Sequence, residues 1–224
     1  MRKRRAFHIA VTGFFLFQAG ACERGNPGLN DSDTVIAGYR IEGKLIDDFQ
    51  RPLTGVEVFL YYDLALLSGD STSRAYIPTV QSEVVTVDVK DTTGQVIRLV
   101  FSGPAPQDSA VYFFWDGRND SGDVVRSGIY LISYTVASVV KKSYRMIVDG
   151  NLNCVTDTGG RFVIPGTDLP VDDIAPYYDS SDSFVGKFQI TSEVFLRFIT
   201  PAFDRTFRVP LVKNKITNFS VALN

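Results

Sequence analysis

The stretch FFWDGRNDSGDVVRSGIYLISY, residues 113–134, decides how the rest of the chain is read. Aromatic residues lead into a loop that sets Asp116, Asp120 and Asp123 among Gly117, Ser121 and Gly122, and an apolar run from Ile129 to Tyr134 follows. Two readings compete: closely spaced carboxylates could hold a divalent cation, or the loop could simply turn the chain between two strands. A calcium loop of the EF-hand type takes oxygen ligands at alternate positions and a bidentate Glu at the twelfth. Counted from Asp116, the third position is Arg118 and the twelfth is Ser127, and neither can play its part. Asp-Gly and Ser-Gly pairs between apolar runs are turn chemistry, because Gly takes positive φ and Asp bonds to its own backbone. The loop is therefore read as a turn ahead of a metal site. Trp115 is placed in a core, with its indole N–H given to a backbone carbonyl.

Outward from this turn, short β-type runs alternate with turn residues. They are YRIEGKLI (39–46), VEVFLYY (56–62), SEVVTVDV (82–89), QVIRLVF (95–101), AVYFFW (110–115) and GIYLISYTVASVV (128–140), then GRFVIP (160–165), GKFQI (186–190), EVFLRFI (193–199), TFRVPLV (206–212) and TNFSVAL (217–223). Runs this short and this regularly spaced predict an all-β chain of sandwiches. DLALLSG (63–69) is read as one turn of helix at most.

The amino-terminus, MRKRRAFHIAVTGFFLFQAGAC, has a basic region (Arg2, Lys3, Arg4, Arg5), a short apolar region to Phe17, and small residues before Cys22. This is the order of a secretory signal peptide, and it falls short of the ~20 apolar residues of a membrane span. The ending AGAC resembles a bacterial lipobox, with Ala19 where that motif usually carries Leu. The resemblance implies that Cys22 is lipidated, becomes the first mature residue and tethers the protein to a membrane. Ordinary cleavage, with Cys22 open to a disulfide with Cys154, is the alternative; otherwise Cys154 is read as buried and inert. Glu23, in place of Asp, points to the outer rather than the inner membrane in a protein of that kind.

Cleavage after Ala21 removes His8, the single histidine. A mature chain without histidine excludes Ser-His-Asp and Cys-His catalysis and imidazole-ligated zinc. It also removes four of the 23 basic residues, leaving 19 against 25 acids, the wrong sign for nucleic acid. Residues 22–34 are polar and rich in Gly, Asn and Asp, and read as a flexible spacer.

Two family resemblances organise the remainder. VTVDVKDTTGQVIRLV (86–100) followed by WDGRNDSGDVVRSGIYLISY (115–134) resembles the FlgD immunoglobulin-like family. Trp115, Asp116, Gly117, Asp120, Gly122, Val125, Ser127, Gly128 and Tyr130 fall at its positions, with Asn119 inserted. That family implies a β-sandwich without catalytic residues in this loop. IEGKLIDDFQRPLTGVEVFL (41–60) and TDTGGRFVIP (156–165) resemble the two halves of a carboxypeptidase regulatory-like domain, a transthyretin-like sandwich. Gly43, Asp47, Pro52, Gly55, Asp157, Gly160 and Phe162 are among the matching residues. A gap of this size is too long for a loop in a compact domain. The expected organisation is therefore nested: a signal peptide at 1–21, a spacer at 22–34, one discontinuous sandwich from 35–70 and 150–224, and an immunoglobulin-like module at 71–149 inserted into it.

Other candidate sites are few. The acidic stretches 168–173 and 179–183 read as solvated loops, with calcium binding or an acid/base pair as the alternative. Tyr177 and Tyr178, read as loop residues beside Asp179, are the candidate ligand contacts, since loop aromatics can stack on sugars or partners; the favoured alternative is that at least one of them tucks into the core. Tyr61 and Tyr62 point to opposite faces of a strand, so one of them is a candidate for exposure. No cofactor or metal is assigned. The sequence reading is a non-enzymatic, lipid-anchored envelope protein used for interaction or scaffolding, with a glycan or an envelope protein as partner. A carbohydrate-binding module and a carboxylate-based hydrolase are the rivals.

Overall fold

The structure is a computed structural model and describes residues 36–68, 83–104, 115–178 and 184–223. Twelve strands are present among them: β1 (Tyr39–Ile46), β2 (Glu57–Ser68), β3 (Val84–Lys90), β4 (Val96–Pro104), β5 (Gly128–Val136), β6 (Val139–Val148), β7 (Asn151–Val155), β8 (Arg161–Ile164), β9 (Ile174–Tyr178), β10 (Phe184–Ile199), β11 (Asp204–Pro210) and β12 (Lys215–Ala222). One 3-10 turn, Gly166–Asp168, is the only helical element among the described residues. The chain is all-β, as its alternating runs predict.

The strands form two sheets. In the smaller, β1 lies between β12, which runs parallel to it, and β8, which runs antiparallel. The larger has nine strands in the order β4-β3-β5-β6-β9-β10-β2-β7, with β11 added beside β10. The small sheet packs over the β9-β10-β2-β7 half. Ile41 and Leu45 of β1, Val58 and Leu60 of β2, and Leu196 and Phe198 of β10 are fully buried between them. Aromatic rings fill the centre: Phe198 stacks on Phe219 at 5.5 Å, and Phe162 lies 5.6 Å from Phe198. Each such side chain stabilises the fold by about 1.5–3 kcal/mol relative to exposure.

A second core belongs to the β4-β3-β5-β6 half. Val85, Val87 and Val89 of β3 meet Tyr130, Ile132, Tyr134 and Val136 of β5, and Trp115 and Val125 close the layer. Successive strand residues point to opposite faces. Ile129 and Ile147 lie in the first core, whereas their chain neighbours Tyr130 and Val148 lie in the second. The two cores thus occupy opposite faces of one continuous sheet and meet at β5 and β6. The seam between the halves is narrow, since β6 and β9 run parallel through the single pair Ile147–Tyr177.

Several elements differ from the sequence expectation. DLALLS is not helical: β2 continues through it, with Leu64 opposite Ile190 of β10. The run 128–140 is a hairpin rather than one strand, turned by Ala137 and Ser138 at φ 46 and 65. GKFQI and EVFLRFI are one long strand, β10, with a register shift between Ile190 and Val194. β7 and β9 have no counterpart in the sequence reading. Most of AVYFFW lies outside the described residues, and Trp115 itself is not part of a strand.

Candidate functional site

The loop after Trp115 is built from its own side chains. Gly117 and Gly122 take φ of 71 and 86, a region that costs glycine little. Asp116 accepts the Arg118 N–H at 3.1 Å, and Asn119 Oδ1 accepts the Asp123 N–H at 2.8 Å. Asp120 accepts the Leu99 N–H at 3.0 Å, which fixes the loop to β4. Trp115 Nε1 donates to the Arg118 carbonyl at 2.8 Å, and its ring meets Tyr130 edge-on at 5.0 Å. All three Asp side chains of the loop therefore take part in holding the turn, Asp123 through the Asn119 amide at 3.3 Å.

Beside this loop a cleft of about 620 Å³ opens between the two halves of the fold. One wall is the β3–β4 turn around Asp91 and Thr93, a second is 119–130, and the third is the 3-10 turn with Thr167 and Asp168. Its volume lies within the range of small-molecule clefts, which favour junctions of this kind. Asp91 Oδ1 is occupied by the N–H groups of Thr93 and Gln95. Arg126 is the cation of the cleft, its side chain 52% exposed, and it approaches Asp168 at 3.7 Å.

Behind the cleft a polar seam joins the two cores. Ser127, itself buried, donates to the Leu60 carbonyl at 2.7 Å and accepts the Asn151 N–H at 2.9 Å. Tyr62 Oη donates to the Asp168 carbonyl at 2.8 Å, and the Tyr62 N–H donates to Asp149 at 2.8 Å. Asn153 donates to the Asp168 carboxylate at 3.2 Å. Burial pushes the Asp149 carboxyl up to about 6, against the backbone N–H groups that favour its charge. Burial also raises Asp168, opposed by Arg126, and raises the Tyr62 and Tyr130 hydroxyls. Desolvation disfavours a charged form unless partners offset it.

The sequence candidates are dispersed by the fold. Tyr177 and Tyr178 are not loop residues: they end β9, where Tyr177 packs edge-on against Phe188 at 6.0 Å and Tyr178 against Phe184 at 5.7 Å. Pairing with β10 draws this segment into the sheet. Tyr62 is buried, and Tyr61 lies half-buried on the opposite face. Of the stretch 168–173, Asp168 enters the seam and Asp173 forms a two-point pair with Arg145 at 2.6 and 3.1 Å. Cys154 is buried in the first core. Cys22 and the stretch 179–183 lie outside the described residues. Among the described residues no three metal-ligating side chains are grouped to hold an ion, and no helix is long and apolar enough to cross a membrane.

Sequence reasoning missed another cluster. On β2, Val58, Leu60 and Tyr62 face the core, so Phe59 and Tyr61 face outward. On β10 the same alternation turns Phe195 and Arg197 outward. The register sets Phe195 opposite Tyr61, Arg197 opposite Phe59, and Leu152 of β7 opposite Phe59. Gly150, at φ 74, leaves the space that the Tyr61 ring fills, since a Cβ there would lie 2.6 Å from the ring. The signal was present in VEVFLYY and EVFLRFI, where apolar residues occupy both parities instead of one.

Residues 64–138, about a third of the chain, match the FlgD Ig-like domain. The match begins inside β2, before the expected boundary at 71, and ends at the β5–β6 turn. No curated protein and no solved structure matches the chain.

Proposed function

We propose that the chain is a non-enzymatic interaction module, held to the extracytoplasmic face of a membrane by lipid on Cys22. The match of 64–138 to the FlgD Ig-like domain carries the interaction reading. The seam supports it, because Ser127, Asn151 and Tyr62 fix the immunoglobulin-like half to the rest as a rigid platform. We read 35–70 with 150–224 as a carboxypeptidase regulatory-like sandwich interrupted by that module; the pairing of β1 with β8, and of Gly43 with Phe162, supports this. The outer membrane is the proposed location: the basic, apolar, small-residue order before Cys22 supports export and lipidation, and Glu23 in place of Asp supports the outer over the inner membrane.

Lipidation is tested by fractionation and by mass spectrometry of the amino-terminal peptide. One acyl chain anchors only marginally, whereas several hold a protein firmly. The parent should partition with membranes and carry a diacylglyceryl mass on Cys22. Cys22→Ser should appear in the soluble fraction, and a membrane-bound Cys22→Ser protein would refute the anchor.

A further inference from the structure

The outer face of β7, β2, β10 and β11 departs from the rule for a solvated sheet face. An antiparallel sheet with one wet side normally alternates apolar-in with polar-out. Here Leu152, which is exposed, and the half-buried rings of Phe59, Tyr61 and Phe195 lie on the outer side and are neighbours in the register. Departures from local consistency mark functional sites more often than accidents. Strand geometry spaces these side chains by about 4.8 Å across the sheet and about 6.8 Å along a strand.

Polar groups surround this apolar centre. Arg197 donates through Nε and Nη2 to the two Asp204 oxygens at 2.8 and 2.5 Å, and through Nη1 to Tyr61 Oη at 3.4 Å. A guanidinium has five N–H groups, so the fork is held rigid and still has donors to give. Arg208 is held in the same way by Glu193, with Nε at 2.6 Å. Both arginines at the centre of the face are thus neutralised by carboxylates of the same face.

We propose that this face binds a neutral polysaccharide, whose sugar rings lie on Phe59, Tyr61 and Phe195 while Arg197 holds a hydroxyl. The occupant is chosen by charge and by area. The Arg197–Asp204 and Arg208–Glu193 pairs leave the centre of the face without the net positive charge that would draw an anionic glycan, a nucleic acid or an anionic lipid surface. Four apolar side chains fall well short of the ~800 Å² per partner of a stable protein interface. A pyranose chain needs less, since each ring offers one apolar C–H face to an aromatic and hydroxyls to the flanking donors. The proposal deepens the interaction-module reading and is independent of the anchor: loss of membrane attachment in Cys22→Ser leaves it untouched.

The test is calorimetric titration of the full chain with cellohexaose, laminarihexaose and mannohexaose, and with heparin as the anionic comparison. At least one neutral hexasaccharide should bind, with heparin at least tenfold weaker. Tyr61→Ala and Phe195→Ala should each weaken that binding tenfold or more. Tyr61→Phe, which keeps the ring and the fold, should stay within threefold of the parent, which separates loss of stacking from loss of structure. The proposal is overturned if no neutral hexasaccharide binds, if heparin binds better, or if the alanine variants bind as the parent does. It is also overturned if sedimentation shows a dimer that Phe195→Ala dissolves, because the face then belongs to a second copy.

Discussion

Phe162 of β8 stands over Gly43 of β1, its register partner, so closely that a Cβ on Gly43 would lie 2.1 Å from the ring. The ring cannot retreat: it is 1% exposed and is bounded by Phe198 at 5.6 Å and Phe219 at 6.3 Å. Glycine is present here because an aromatic fills the space a side chain would take. Gly43→Ala should therefore lose about 1–3 kcal/mol, the usual cost of overpacking. Phe162→Leu in the same chain should recover part of that loss. Urea denaturation of the two single variants and the pair measures the coupling; a Gly43→Ala protein as stable as the parent would mean that the sheet edge gives way freely.

The loop at 116–123 and the tryptophan beside it should respond differently to substitution. Asp116, Asp120 and Asp123 changed together to Asn keep the oxygen that accepts the turn's N–H groups and lose the charge. That variant should melt within a few degrees of the parent, and calcium should move neither melting temperature. Trp115→Ala removes a side chain 5% exposed that closes the second core. Truncation of a buried aromatic typically costs about 3–5 kcal/mol, so this half should unfold first in a heat melt followed by near-ultraviolet dichroism. Calcium stabilisation of the parent alone would make the loop a metal site.

The sequence was most legible where periodicity and turn chemistry agree. β1, β3, β8 and β12 follow their alternating runs closely, and the turn after Trp115 was readable from its Asp-Gly and Ser-Gly pairs. The β5–β6 hairpin was hidden because Ala137 and Ser138 adopt positive φ without the Asn-Gly signal that usually announces such a turn. The continuation of β2 was hidden because Leu64, Leu66 and Leu67 carry no strand preference of their own; pairing with β10 decides it. The continuity of one sheet across both cores rests on the single pair Ile147–Tyr177, a long-range contact that no local pattern encodes. The outward aromatics were visible as letters, but their parity acquires meaning only once β2 and β10 are placed in register.

Nesting predicts what remains when the inserted part is removed. Replacing 71–149 by a short Gly/Ser linker costs little in loop closure, which grows slowly with length. It does remove Ile129 and Ile147 from the first core and Ser127 from the Leu60 carbonyl. The remainder should melt cooperatively but several kcal/mol below the parent, because vacated core positions of this size cost about 2–5 kcal/mol each when nothing refills them. Chemical denaturation at two wavelengths checks it. A remainder with no cooperative transition would show that the two halves are one folding unit.

The seam should make stability depend on pH through Asp149. Burial raises its carboxyl from an ordinary 3.8 to about 6, so the folded protein binds that proton more tightly than the unfolded chain does. Stability from this group therefore increases as pH falls through 6 towards 3.8, and the cost of the buried charge is greatest above 6. Asp149→Asn keeps an oxygen for the Tyr62 N–H, which the parent bonds at 2.8 Å, and removes the titration. Asp168 is raised in the same direction, but it is present in both proteins and cancels in the comparison. Between pH 7 and pH 5 the parent should gain about 1 kcal/mol relative to Asp149→Asn, read from urea melts at pH 5, 6, 7 and 8. The Asn variant should be the more stable of the two above pH 7, and the gap should have narrowed by pH 5. Parallel pH profiles for the two proteins would show that Asp149 keeps its charge at no cost and that the seam is better hydrated than its burial implies.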